Sequence, residues 1–258
     1  MKMKKNSASI KVLSTGNRTS FQLNETTLID AGSVVNVLKE KAAFIKKVYL
    51  THSHLDHIVD IAFMLDDYFE LRKDTLEIIG LEETIKAIKT NFLNDTIWPD
   101  FSKIKLLNSN QMTIKYKIIK PKDREVLSEN ETIEVFITDH TVKSCGYIYR
   151  YEHKSIIIAT DTYSLNEIIK IIELRTNIQN VVLECSFPNS MQKVAKDSKH
   201  LTPELLFRQL KSCKRDDFQL YINHVKPTYR KIIKDEIEQY RGEREVFLIK
   251  EKEILHFF

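Results

Sequence analysis

Six consecutive residues, His52-Ser53-His54-Leu55-Asp56-His57, place four potential metal ligands in one short stretch and use three of the chain's eight histidines. The apolar run Lys47-Val48-Tyr49-Leu50 just before them reads as a short buried strand. After them, Ile58, Ile61, Ala62, Leu65 and Phe69 recur at helical spacing, so the segment joins a strand end to a helix start. A strand end feeding a loop aims alternate side chains at one point. His52 and His54 therefore project to the same side, and the turn into the helix carries Asp56 and His57 around a second point. Imidazole and carboxylate donors suit zinc, and also manganese or iron.

Three later segments repeat the pattern of a strand that ends on a donor. His140 follows the predicted strand Ile133 to Ile137 in Thr138-Asp139-His140-Thr141. Asp161 closes the buried run Ile156-Ile157-Ile158-Ala159-Thr160, and His224 follows Tyr221-Ile222-Asn223. Taken singly, a histidine after a strand is more often structural, and an aspartate there more often caps a helix. Four separate strands ending in His or Asp are what one dinuclear site at a sheet edge requires.

The rest of the chain reads as mixed strands first and strand–helix units later. Ser9 to Leu13, Ser20 to Leu23 and Thr27 to Asp30 are short strand-like runs, with a helix expected from about Val34 to Lys41 and another from Glu83 to Phe92. Strand candidates occupy Thr113 to Ile137. Cys145 to Arg150 and Ser155 to Ala159 flank a hairpin turn at Tyr151-Glu152-His153-Lys154. Helices are expected over Asn166 to Leu174, over Pro203 to Lys211 with Thr202 as N-cap, and over Thr228 to Tyr240. A strand over Asn180 to Leu183 ends at Glu184. Sheets covered by helices on their outer faces follow from this order. Glycine is scarce, and Gly16, Gly32 and Gly146 sit beside strand-like runs, where a turn or a close backbone approach would need them.

With 258 residues and no linker or repeat, one domain over residues 1–258 is expected, large enough to bury a core without disulfides. The three cysteines form no CxxC pair, so reduced thiols are expected. The net charge of +4 is spread through Lys–Glu mixtures rather than gathered in the basic patch of a dedicated nucleic-acid binder. No window approaches the ~20 apolar residues of a membrane span. Met1 to Ser9 is basic without the apolar run of a secretory signal, so a cytoplasmic location is expected.

The hexad, the later His140, the strand-end Asp161 and the final His224 together resemble the metallo-β-lactamase superfamily, and the resemblance covers nearly the whole chain. Ser14-Thr15-Gly16 and Leu28-Ile29-Asp30-Ala31-Gly32 look like its N-terminal strand pair. The resemblance implies an α/β fold, a four-layer αββα sandwich. It implies one metal held by His52, His54 and His140, another held by Asp56, His57 and His224, and Asp161 bridging both. Two divalent ions are expected, zinc first, with manganese or iron as alternatives.

Further strings are similar to the class II cyclic-nucleotide phosphodiesterases and, more distantly, to the tRNA 3′-end nucleases. They are Ser53-His54-Leu55-Asp56-His57-Ile58, Ile97-Trp98-Pro99-Asp100-Phe101, Ser144-Cys145-Gly146-Tyr147-Ile148, Leu183-Glu184-Cys185-Ser186-Phe187 and His200-Leu201-Thr202-Pro203. The nucleases usually carry a substrate-grasping arm between the positions of His140 and Asp161. Here those residues are 21 positions apart and a hairpin fills the gap. Hydrolysis of 3′,5′-cyclic nucleotides to 5′-monophosphates is therefore expected ahead of tRNA processing. The expected chemistry is attack by a metal-bridging hydroxide. Asp56 is expected to orient it, His200 to protonate the leaving oxygen and Glu184 to hold the His200 imidazole. Lys226 is a candidate phosphate contact, Trp98 and Phe101 candidate base-stacking residues, and Cys185 a less favoured soft ligand. A small-molecule substrate without nucleic acid or membrane is expected, and the resemblance allows a homodimer. A metal-binding sensor without turnover is the alternative of a different class, disfavoured because the ligand set is complete.

Overall fold

Continuous β-branched runs such as Ile156-Ile157-Ile158 can only be buried on both faces, and the two-residue period of a strand divides them between two cores. In the computed structural model, which describes residues 9–256, Ile156 and Ile158 point into an apolar layer between two sheets. Ile157 points outward beneath helices. Each such buried side chain contributes about 1.5–3 kcal/mol.

The first sheet contains β1 (Ser9–Ser14), β2 (Ser20–Asn24), β3 (Thr27–Ile29), β4 (Lys47–Tyr49), β5 (Leu76–Gly80) and β6 (Ile114–Ile118). The second contains β7 (Arg124–Val126), β8 (Glu131–Thr138), β9 (Ser144–Tyr151), β10 (Lys154–Ala159), β11 (Ile178–Glu184), β12 (Gln219–Asn223) and β13 (Val246–Leu248). The last strand, β14 (Ile254–His256), returns to the first sheet and pairs antiparallel with β1. The orders are β14-β1-β2-β3-β4-β5-β6 and β13-β12-β11-β10-β9-β8-β7. Strands β3 to β6 run parallel, as do β10 to β13, so several strands of each sheet end at a common edge.

Helices α1 (Val35–Leu38), α2 (Leu55–Ile58), α3 (Asp60–Asp66) and α4 (Glu82–Asn91) cover the outer face of the first sheet. Helices α5 (Asn166–Leu174), α6 (Gln192–Asp197), α7 (Pro203–Leu210) and α8 (Arg230–Tyr240) follow in the second half, and α5, α7 and α8 bury Ile168, Ile172, Leu206, Phe207, Ile233 and Ile237 against the second sheet. The result is the expected four-layer αββα sandwich. Thr202 caps α7 through its side chain as read from the sequence. The expected helix from Val34 breaks early, because Lys39 adopts φ +51 and the chain continues as a 3-10 turn. Strands β5, β13 and β14 and helix α6 had no expectation attached to them. Residues 1–8, read above as lacking a signal-like apolar run, lie outside the described residues. Among the described residues, no helix is long and apolar enough to cross a membrane.

The loop after β3 docks on the hexad. Ala31 N–H donates to His57 O (2.7 Å), Gly32 N–H to Thr19 O (3.0 Å) and Thr19 N–H to Asp56 O (3.0 Å). A Cβ on Gly32 would lie 1.8 Å from Asp56 O, so only glycine permits this approach. Gly32→Ala is expected to lower unfolding free energy by about 3 kcal/mol or more, measured by urea titration. A stability within a few tenths of wild type would show that the loop moves aside freely.

Candidate metal centre

Each expected ligand comes from a strand end at one rim of the sandwich. β4 runs into His52, and His54 sits at the N-terminus of α2, whose first turn carries Asp56 and His57. β8 delivers His140, β10 Asp161 and β12 His224. Ligand atoms of His52, His54, His140 and Asp161 all lie within 4.8 Å of one another, and so do those of Asp56, His57 and His224. Asp161 reaches both groups. Its Oδ2 lies 3.8 Å from His52 Nε2, 3.6 Å from His140 Nε2 and 3.8 Å from His224 Nε2, and its Oδ1 lies 3.5 Å from His57 Nε2. Asp56 Oδ2 is 3.5 Å from His57 Nε2 and 3.7 Å from His224 Nε2. All seven residues are thus brought together.

These spacings suit cations better than hydrogen bonds. Donors about 2.0–2.1 Å from a tetrahedral ion stand roughly 3.4 Å apart. His57 Nε2 and Asp161 Oδ1 are buried without a hydrogen-bond partner, facing each other across a gap too long to bridge well. Two polar atoms left this way are costly unless a positive charge sits between them. The residues present therefore fit divalent ions.

The second nitrogen of each buried ring is held from behind, which fixes the face turned to the cluster. Asp30 Oδ2 accepts from His57 Nδ1 at 2.7 Å and from Thr51 Oγ1 at 2.8 Å, and Thr51 Oγ1 in turn stands 3.0 Å from His52 Nδ1. Lys199 O accepts from His140 Nδ1 (3.2 Å), and Thr19 Oγ1 lies 3.4 Å from His224 Nδ1. Asp30, fully buried at φ +56, is the hub of this shell. Sequence reading had placed it only in a strand pair.

Protonation follows from the same contacts. Burial, then the neighbouring His57, pushes the His52 imidazole well below its ordinary value. Burial also lowers His54, His140 and His224, leaving lone pairs free for a ligand's role. At His57 burial acts against the charged form, but Asp161 and Asp30 outweigh it and hold the ring well above its ordinary value. Burial works against charge on Asp161 too, yet His224 and His57 keep its carboxyl well below the usual range. A cation entering between His57 and Asp161 would displace the proton on that imidazole.

Beside the seven stands His200, its ring 5.4 Å from and stacked on that of His224, with a ring nitrogen in reach of Asp161. Glu184 Oε1 accepts from His200 Nδ1 at 2.7 Å. The same carboxylate accepts from Thr162 N, Ser186 N, Ser186 Oγ and Leu201 N, so its buried charge is fully satisfied. Burial lowers His200, but Glu184 raises it further and the net direction is up. Lys226 Nζ lies 5.3 Å over the Phe187 ring, whose centroid is in turn 5.7 Å from that of His200.

One aromatic expectation changes. Phe101 is only 4% exposed, packed under the first sheet with its ring 6.0 Å from Phe69, and offers no face to a base. Trp98 packs edge-on against Phe63 at 5.6 Å, half-buried on the same core. Core packing claims Phe101, whereas Trp98 keeps part of its surface exposed. Cys185 points into the core beneath the helices, where burial pushes its thiol well up, and it takes no part in the cluster.

Solved structures share this architecture. Yeast PDE1, unliganded, superposes with a TM-score of 0.81 at 18% identity, covering 96% of this chain and 99% of that one. The metallo-β-lactamase fold protein YhfI from Bacillus subtilis gives 0.72 at 19% identity, covering 96% and 99%. The short form of human tRNase Z gives 0.64 at 17%, covering 96% and 98%. At these identities the likeness establishes the metallo-β-lactamase fold. No curated protein sequence matches. The model of the class-II cAMP phosphodiesterases matches residues 6–235, a span that includes every residue of the cluster. Fold, donor set and family match agree on metal-dependent hydrolysis of a phosphodiester, and on that ground the chain belongs to the class-II cAMP phosphodiesterase family.

Proposed function

We propose that this single domain hydrolyses 3′,5′-cyclic nucleotides, cAMP or cGMP, to 5′-monophosphates, using two divalent ions, zinc foremost. The observation that carries the reading is the division of seven donors into two groups that share Asp161. His52, His54 and His140 would hold one ion, Asp56, His57 and His224 the other, with Asp161 common to both. When bound, such a pair activates water near neutral pH and neutralises a phosphodiester for in-line displacement.

The chain's own groups supply the rest. Asp56, whose side chain is one-third exposed, has a free face with which to orient the attacking water. His200, held at Nδ1 by Glu184, keeps its other nitrogen available to hand a proton to the departing 3′-oxygen. Glu184 acts through His200, by fixing its ring and favouring its charged form. Lys226 adds positive charge beside His200, suited to a phosphate oxygen. A cavity of about 640 Å³ beside His140, lined by Val142, Lys143, Asn166 and Lys199, is within the size range of small-molecule sites and offers room for a nucleoside. The two-residue turn between β9 and β10 supports a small substrate ahead of a tRNA.

The test is metal analysis of the purified protein, then a panel of cAMP, cGMP and a tRNA precursor with and without chelator. Two equivalents of metal and chelator-sensitive turnover of a cyclic nucleotide are expected. Cleavage of the tRNA precursor alone would move the substrate to RNA ends, and a holoprotein inert on all three would make it a sensor.

A further inference from the structure

Among the described residues, eight non-glycine residues adopt the left-handed backbone region. Three of them border the metal cluster: Asp30 and His224, whose roles are given above, and Lys199 at φ +52. Strained backbone of this kind persists where surrounding contacts over-determine it. Lys199 closes helix α6 in a Schellman motif. Its own N–H donates to Lys196 O at 3.2 Å, and His200 N–H donates to Ala195 O at 2.7 Å. Glycine normally occupies this position, because it alone adopts the conformation without strain. A lysine here needs another reason.

The contacts of Lys199 supply one. Its carbonyl, turned by the left-handed conformation, accepts from His140 Nδ1 at 3.2 Å. Its ammonium pairs with Asp139 Oδ1 at 2.5 Å. Residue 199 thus grips two adjacent residues of the loop after β8, one through the backbone and one through the side chain, and two points fix an orientation where one would allow rotation. Asp139 is anchored in turn on the segment of Asp161, because its N–H donates to Thr162 Oγ1 (3.2 Å) and its carbonyl accepts from Tyr163 N–H (2.8 Å). His200 follows Lys199 directly in the chain.

We infer that the Asp139–Lys199 pair is a positioning clasp that holds the His140 side of the metal cluster and His200 in one fixed relation. The inference rests on the proposed function for the roles of His140 and His200. With both side chains 41% exposed, the pair is a weak source of stability by itself. Its effect lies in geometry.

Lys199→Gly separates this role from helix capping, because glycine relieves the backbone strain while removing the ammonium. Asp139→Asn removes the charge with little change in shape. Zinc affinity is measured by competition with a chromophoric chelator in the absence of substrate, alongside thermal midpoints of the zinc-free proteins and kcat and KM for cAMP. For Lys199→Gly we expect an unchanged or higher midpoint, with zinc affinity and kcat each lower by about tenfold. Asp139→Asn should match it, and the double variant should be no worse than either single one. Wild-type zinc affinity and kcat in Lys199→Gly would reduce the residue to a helix cap and overturn the clasp. So would losses confined to variants whose midpoint also falls. If wild type turns over no cyclic nucleotide, the proposed function fails while the zinc measurement still decides the clasp.

Discussion

Asp161→Ala is expected to strip the protein of both proposed metals and to lower turnover by on the order of 10⁴-fold or more, since activation of water and clamping of the phosphate are lost together. Asp161 reaches both donor groups, with His52, His140 and His224 around Oδ2 and His57 facing Oδ1. Without its charge, five imidazoles and Asp56 would have to balance two divalent cations in a buried site, and the attraction that offsets desolvation would be lost. Asp161→Asn should behave nearly as badly, because it preserves shape and removes the charge. Elemental analysis of dialysed protein is the measurement. Two equivalents retained in either variant would remove Asp161 from the ligand set. The apolar layers that hold the sandwich lie away from this carboxylate, so both variants should fold, which circular dichroism can check.

His200→Ala is expected to keep metal content intact and to lower kcat by about 10²–10⁴-fold, the usual contribution of a general acid. The residue stands beside the seven donors rather than among them, held by Glu184 and stacked on His224. A ring nitrogen of His200 also comes within reach of Asp161 and His224, so a ligand role makes a competing forecast. In that case His200→Ala would lose metal in proportion to activity. A substrate with a good leaving group, such as a nitrophenyl phosphodiester, separates the two further. A missing acid matters little when the leaving oxygen needs no proton, so activity on that substrate should survive in His200→Ala. Equal loss on both substrates would rule out the acid role.

The division of labour between these residues explains why some were legible and others were not. His52, His54, Asp56 and His57 stand within six residues, so local chain geometry is enough to bring them together. His140, Asp161 and His224 could be read because each ends a strand, and parallel strands of one sheet share an edge. Asp30 also stands at a strand end, but it faces the cluster from behind, and its work shows only in contacts with Thr51 and His57, 21 and 27 positions away. Lys199 is hidden in the same way, as one lysine in a lysine-rich stretch whose conformation and partner 60 positions away are invisible to spacing. Phe101 failed for the opposite reason. Its neighbourhood resembles a family string, but the aromatic ring gained more from burial against Phe69 than from exposure.

Sequence alone determined the strand-end donors, the layered α/β order and the helix faces, because each depends on periodicities of a few residues that any local chain must obey. Tertiary structure decided which groups hold the imidazoles from behind and that the core took Phe101. Those are contacts between residues tens to hundreds of positions apart, and only the closing of two sheets over one apolar layer brings them within hydrogen-bonding range.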